Sequence, residues 1–174
     1  GYVGEAAVLE ATRLGLGTCW IGGGFKKRKT ADLVELAPGE RVYTVVALGR
    51  VPEEWTTGER VTAAAAGAER RVPLVEIAPS IETELWPGWA LAGIELARLA
   101  PSARTRQPWR FRLEGDDVVV SYDGRETSYV SKRLDCGIAM LHFELAARAA
   151  GCAGGWEMLS SPDVARWRSE SVTA

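Results

Sequence analysis

The residues best suited to chemistry fall in three stretches, and none is a set of acids, bases or nucleophiles. In Ala100-Pro101-Ser102-Ala103-Arg104-Thr105-Arg106-Gln107-Pro108-Trp109, Pro101 stiffens the chain just after a predicted helix. Ser102 and Gln107 offer side-chain hydrogen bonds of the kind that meet the polar edge of a planar heterocycle. In Gly15-Leu16-Gly17-Thr18-Cys19-Trp20-Ile21-Gly22-Gly23, continued by Gly24, the glycines let backbone approach a flat ring without a side-chain clash and leave N–H groups to donate. Arg70-Arg71 stands before Val72-Pro73, and forked guanidinium donors of this kind suit a phosphate. A further basic run, Lys26-Lys27-Arg28-Lys29, reads as a solvated loop in preference to a phosphate contact.

Other chemistries lack their residues. His142 is the sole histidine and lies six residues from Cys136 on one predicted helix, so the two point in different directions. It reads as structural. With no second histidine and no Gly-x-Ser-x-Gly, neither a hydrolytic triad nor a zinc site is indicated. Gly15-x-Gly17 follows a helix, and Trp20 stands where a third glycine would complete a dinucleotide fingerprint. No catalytic side chain and no metal ligand is assigned. Cys19, Cys136 and Cys152 form no close pair and read as reduced, mostly buried thiols of an intracellular protein.

The elements that must position these stretches follow from periodicity and breakers. Residues 3–14 read as a helix, with Ala7, Ala11 and Leu14 on one face, charges interrupting it and Gly15 as its stop. Residues 18–21 are a short extended piece. Thr30 is expected to cap a helix over residues 31–36, and residues 42–48 to form a buried central strand. Residues 50–70 read as a crossing segment or linker. A helix is expected over 89–99, a hairpin over 109–113 and 118–122, and a long helix over 133–150 stopped by Gly151. Trp156 begins another extended piece, and the polar tail after Pro162 is expected to fray. Residues 8–20 align without a gap onto residues 144–156, matching Leu9 with Leu145, Ala11 with Ala147, Gly15 with Gly151 and Trp20 with Trp156. That is an internal repeat of helix, glycine stop and strand.

The ten residues from Ala100 resemble the Ala-Pro-Ser-Ala-x-Asn-x-Gln-Pro-Trp pattern of FMN-dependent nitroreductases, with Thr105 where the pattern has Asn. The stretch from Gly15 resembles the segment lying along the flavin ring in the same fold. In an ordinary member the Pro-Ser segment comes first. The reversed order resembles a type in which one chain carries two halves and mimics the usual homodimer, here entered partway through the first half. The resemblance implies an α+β fold with a central, mostly antiparallel sheet flanked by helices. It implies a pseudo-dimer of an incomplete first half (residues 1–78) and a second half (residues 79–174). It implies FMN held by Trp20, Ile21, Gly22 and Gly23 from the first half and by Pro101, Ser102, Thr105 and Gln107 from the second. Arg71, with Arg70, would meet its phosphate. The implied activity passes electrons from NAD(P)H through the flavin to a nitroaromatic, quinone or similar small acceptor. The alternative is a flavin-free binding or structural module of the same fold. The family's early Arg-x-Ser-x-Arg phosphate segment does not occur in the sequence, as expected of a chain lacking its front.

Composition narrows the class. The chain has 174 residues, near one domain on a prior of ~150. Its 47 % hydrophobic content supports a core, and its net charge of -2 gives no global pull toward nucleic acid or membrane. No apolar run approaches the ~18 residues of a membrane helix. A cytoplasmic protein is the expectation; a two-half chain can be monomeric, because its halves bury each other, and the sequence leaves the oligomeric state open.

Overall fold

The computed structural model describes residues 1–51, 54, 56–58, 60, 70–127 and 129–170. Most of the expected linker over 50–70 therefore lies outside the described residues. The chain opens with helix α1 (Tyr2–Arg13), then strand β1 (Gly17–Ile21), a short helix α2 (Lys27–Ala31) and strand β2 (Val45–Gly49). After it come a turn of helix α3 (Leu74–Ile77), helix α4 (Gly88–Arg98), a 3-10 turn (Ala103–Thr105) and the β3 (Trp109–Glu114) and β4 (Asp117–Tyr122) hairpin. Helix α5 (Lys132–Ala149), strand β5 (Gly154–Met158) and strand β6 (Asp163–Ser169) complete it. β1 and β2 form a two-stranded antiparallel ribbon, and the other four strands an antiparallel sheet in the order β3-β4-β6-β5. The fold is α+β with antiparallel sheets.

The core lies between the four-stranded sheet and the α4–α5 pair. Phe143 of α5 is its hub, stacked on Phe111 at 5.5 Å and tilted against Trp156 at 5.4 Å. Trp167 of β6 meets it edge-on at 6.1 Å. Gly93 of α4 makes this possible: a Cβ there would sit 2.6 Å from the Phe143 ring. Burying such aromatic rings contributes more per residue than any other core contact.

Helix α1 lies against α5, where Gly1 and Gly137 let the two backbones meet; a Cβ on Gly137 would be 2.9 Å from the Tyr2 amide nitrogen. Both helices end alike. Gly15 and Gly151 take positive φ of 74° and 87°. Leu16 N–H donates to Ala11 and Cys152 N–H to Ala147, each at 3.0 Å, closing the same six-to-one cap.

Three expectations fail for physical reasons. Thr30 sits inside α2, donating to the Lys26 carbonyl at 3.2 Å, the back-bond by which threonine competes for its own helix. The apolar run over 42–48 forms β2 from Val45 onward, but it is neither central nor buried. Its partner is β1, and Leu48 is 63 % exposed. Apolar content alone does not supply the second neighbour a central strand needs. The polar tail does not fray at Pro162. β6 runs between β4 and β5, with Ala165 and Trp167 buried on one face and Arg166 and Arg168 on the other; Val164, at a bulge in the pairing with β4, is buried as well. The charges that made it look like a tail are the solvent face of an interior strand. Residues 171–174 lie outside the described residues.

Candidate functional site

A cleft of about 290 Å³ opens between the end of the β1–β2 ribbon, the loop after α4 and the start of α5. That is close to the lower edge of ordinary small-molecule sites, ~300–1,000 Å³. Trp20, Gly22 and Gly23 line one wall, Pro101, Ser102 and Arg104 a second. Leu134 and Ile138 of α5 floor it, and Tyr129 and Val130 close the remaining side. Two stretches some eighty residues apart thus share one cavity.

Each wall is built from its own residues. Trp20 is held by α1. Gly4 leaves room for the indole, since a Cβ there would lie 2.5 Å from the ring. The indole N–H donates to Glu5 at 2.9 Å. Glu5 is 1 % exposed, and its other oxygen meets His142 Nε2 at 2.9 Å. A carboxylate this deep is tolerated because both oxygens have partners. By sequence, Glu5 is one of the charges interrupting the apolar face of the first helix, and His142 reads as structural. The contact that unites them spans 137 positions, so no local signal exposes it.

The 101–107 loop is wound tightly. Arg104, Thr105 and Gln107 all take positive φ, at 53°, 53° and 45°. Left-handed backbone in non-glycine residues costs roughly 1 kcal/mol apiece and persists only where its surroundings over-determine it. Asp135 of α5 supplies much of that constraint. Its Oδ1 accepts from the Ala103 amide at 3.1 Å and its Oδ2 from Arg106 Nε at 2.8 Å. Burial pushes the Asp135 carboxyl above its ordinary value, with Ala103 N–H and Arg106 opposing. Arg106 also donates to Val130 O at 2.8 Å and Thr127 Oγ1 at 3.0 Å, pinning the segment before α5.

The ten sequence candidates divide. Trp20, Gly22, Gly23, Pro101 and Ser102 meet at the cleft. Ile21 precedes Gly22 in β1 and alternates to the other face from Trp20. Gln107 is 2 % exposed and lies under the loop: its oxygen accepts from Val72 N–H at 3.1 Å and its amide donates to Arg70 O at 3.0 Å. It ties the 70–72 segment to the loop. The Thr105 hydroxyl donates to Arg104 O at 2.7 Å. Arg71 reaches Leu99 O at 3.4 Å, two residues before Pro101, and Arg70 is exposed beside it. These arginines flank the loop outside the cleft.

Tyr129 and Arg104 were not singled out by sequence, and both line the cleft. A Cβ on Gly22 would lie 2.7 Å from Val130, and one on Gly23 would overlap the Tyr129 hydroxyl. The Arg104 guanidinium stands 5.8 Å from the centre of the Tyr129 ring. Gly23 thus already carries an aromatic ring from the same chain against bare backbone, and Gly22 an aliphatic side chain. Among the described residues, no cluster of three or more His, Cys, Asp or Glu could hold a metal. No described helix is long and apolar enough to cross a membrane.

Comparison with known proteins gives the family. Residues 1–147 match a family described as "Putative TM nitroreductase". The chain belongs to that family. A crystal structure of a "putative nitroreductase" from Thermotoga maritima superposes with a TM-score of 0.63 at 24 % identity, over 95 % of this chain and 61 % of that one. The likeness carries the nitroreductase-like fold, and this chain spans about three-fifths of that protein's length. No curated protein matches.

Proposed function

We propose that this nitroreductase-like chain forms the flavin-binding part of an FMN-dependent oxidoreductase, taking electrons from NAD(P)H and giving them to a small nitroaromatic, quinone or similar acceptor. The observation that carries the reading is the single cleft shared by the Trp20–Gly23 and Pro101–Ser102 segments. Its walls suit a flat heterocycle: an indole, a proline and α5 aliphatics supply apolar faces, and Ser102 and the glycine N–H groups supply polar edges. When bound, FMN supplies the hydride acceptor and the electron relay. The chain's own residues orient and shield it. Trp20 and Ile138 exclude water from the ring, and Asp135 and Arg106 fix the loop that presents Ser102. Arg71, with Arg70, would hold the cofactor's phosphate; Arg71 donates to Leu99 O, two residues before Pro101.

The two-half arrangement belongs to the same proposal. The matched caps at Gly15 and Gly151, the mutual contact of Gly1 and Gly137, and a helix followed by antiparallel strands in each part all support it. The boundary near residue 78 falls in the short α3 region. A flavin-free module is favoured by one observation, the Tyr129 hydroxyl seated over Gly23.

A visible spectrum separates the two. The protein is incubated with FMN, freed of excess and scanned. Retained yellow absorbance that NADPH or NADH bleaches under anaerobic conditions is expected. A colourless protein after that treatment sinks the enzyme reading. A yellow protein that neither nucleotide bleaches removes NAD(P)H as donor.

A further inference from the structure

Two residues of the basic run over 26–29, Lys27 and Arg28, line a cleft. We propose that this second cleft, walled by Lys27, Arg28 and Arg41, binds the 2′-phosphate end of a nicotinamide dinucleotide, which makes NADPH the donor in preference to NADH. The inference rests on the flavin reading above and adds the identity of the donor.

Position comes first. The second cleft has a volume of about 400 Å³ and shares Tyr129 and Val130 with the ring cleft. A dinucleotide with its nicotinamide over the ring site therefore continues past Tyr129 into it. Charge comes second. Lys27 and Arg28 from α2 and Arg41 from the approach to β2 face one lining carboxylate, Glu40, whose Oε2 already accepts from Ala37 N–H at 2.8 Å. Glu126 lies behind the lining residue Ser131 and is held by Ser131 Oγ and by the Thr127 and Lys132 amides. Among the described residues, Lys27 and Arg28 make no ion pair or side-chain hydrogen bond, and Arg41 makes only a ring contact, 6.0 Å from the centre of Tyr43. Three cations facing one cleft with one committed carboxylate among them repel one another until an anion arrives. Aromatic surface comes third. Tyr43 and Tyr129, 54 % and 61 % exposed, present ring faces in the same cleft, on which a purine stacks.

The alternative phosphate, that of FMN, has separate arginines. Arg71 lies against Leu99, outside the ring cleft on the flank of the 101–107 loop, whereas Lys27 and Arg28 stand beyond Tyr129. A 2′-phosphate carries close to two negative charges and three acceptor oxygens. Arg28 and Arg41 can each offer it a fork, and Lys27 a point charge. NADH has a hydroxyl at that position and leaves the three cations unpaired.

Adenosine 2′,5′-bisphosphate and adenosine 5′-monophosphate are titrated calorimetrically into the wild type and into a Lys27→Ala/Arg28→Ala variant. Both side chains are exposed, and matching thermal melts confirm that the variant folds. The bisphosphate is expected to bind about ten-fold more tightly than the monophosphate, with the difference shrinking as salt rises. The variant should lose that difference while keeping FMN affinity, and its KM for NADPH should rise about ten-fold relative to its KM for NADH. A Lys27→Glu/Arg28→Glu variant should favour the monophosphate. Equal affinities in the wild type, or discrimination surviving in either variant, overturn the inference. Failure to take up FMN counts against the flavin reading alone, because the nucleotide titration needs no flavin and still decides the cleft.

Discussion

Trp20 faces the candidate cleft because two consecutive residues of α1 receive it, Gly4 by absence of a side chain and Glu5 by hydrogen bond. Glu5 is the residue whose loss the fold should feel most. Glu5→Leu leaves the indole N–H and His142 without their buried acceptor, at about 1–3 kcal/mol for each group. Glu5→Gln keeps a carbonyl for the indole and should recover at least half of the loss. Urea unfolding of the two variants beside the wild type measures this. Equal destabilisation by Leu and Gln would mean that shape, not hydrogen bonding, holds Trp20. The site's glycines, Ser102 and Trp20 were legible in the sequence because each sits in a dense local pattern. Glu5, Asp135 and Tyr129 were not, because their roles exist only where distant segments meet. Gln107 was legible as a polar residue of the right kind, yet its amide serves the backbone of residues 70–72. Type and spacing do not say which way a side chain turns.

At the level of elements, the three long helices α1, α4 and α5 and the β3–β4 hairpin were readable from apolar spacing and from glycine and proline breakers, whereas short α2 and α3 were not. β6 was not, because a strand with one charged face reads as polar when its alternation is short. That charged face carries a network. Arg112 forks onto Asp163 at 2.7 and 2.9 Å and also meets Glu114. In the ladder, Arg112 and Arg166 flank Val119, whose complete burial beneath two charged residues fits aliphatic stems covering it. The Arg112 hydrogen bond holds the Asp163 carboxyl below its ordinary value. A depressed carboxylate stabilises the fold fully above its unfolded value, about 3.9, and loses that contribution as pH falls through the lower folded value. Arg112→Leu should thus cost roughly 1 kcal/mol near neutrality, because the pair is partly exposed. The gap to the wild type should narrow as pH is lowered from about 5 to about 2, the range that brackets Asp163. Chemical denaturation at a series of pH values reads this, and a gap independent of pH would assign the loss to the stem over Val119.

Across the whole molecule, the four-stranded sheet and α4–α5 enclose the core, and α1, with the β1–β2 ribbon packed on it, is laid against α5. The candidate cleft lies where the two meet, so its shape depends on the α1–α5 contact at Gly1 and Gly137 as much as on its own lining. The reversed order of the two motifs was the sequence feature from which this convergence could be expected. The basic cleft beyond Tyr129 had no such signal, because a run of lysines looks the same whether or not it walls a cavity.

The most direct measurement is an FMN titration, followed by quenching of flavin fluorescence, on the wild type and on Ala103→Trp. Ala103 lines the cleft, and its bond to Asp135 is made by the backbone amide, which the substitution keeps. One equivalent of FMN should bind the wild type, and the variant should bind at least about ten-fold more weakly, a loss of ~1.4 kcal/mol, with its thermal melt unchanged. Equal binding by a folded Ala103→Trp, or no binding by the wild type, would contradict a flavin site between Gly23 and Ser102.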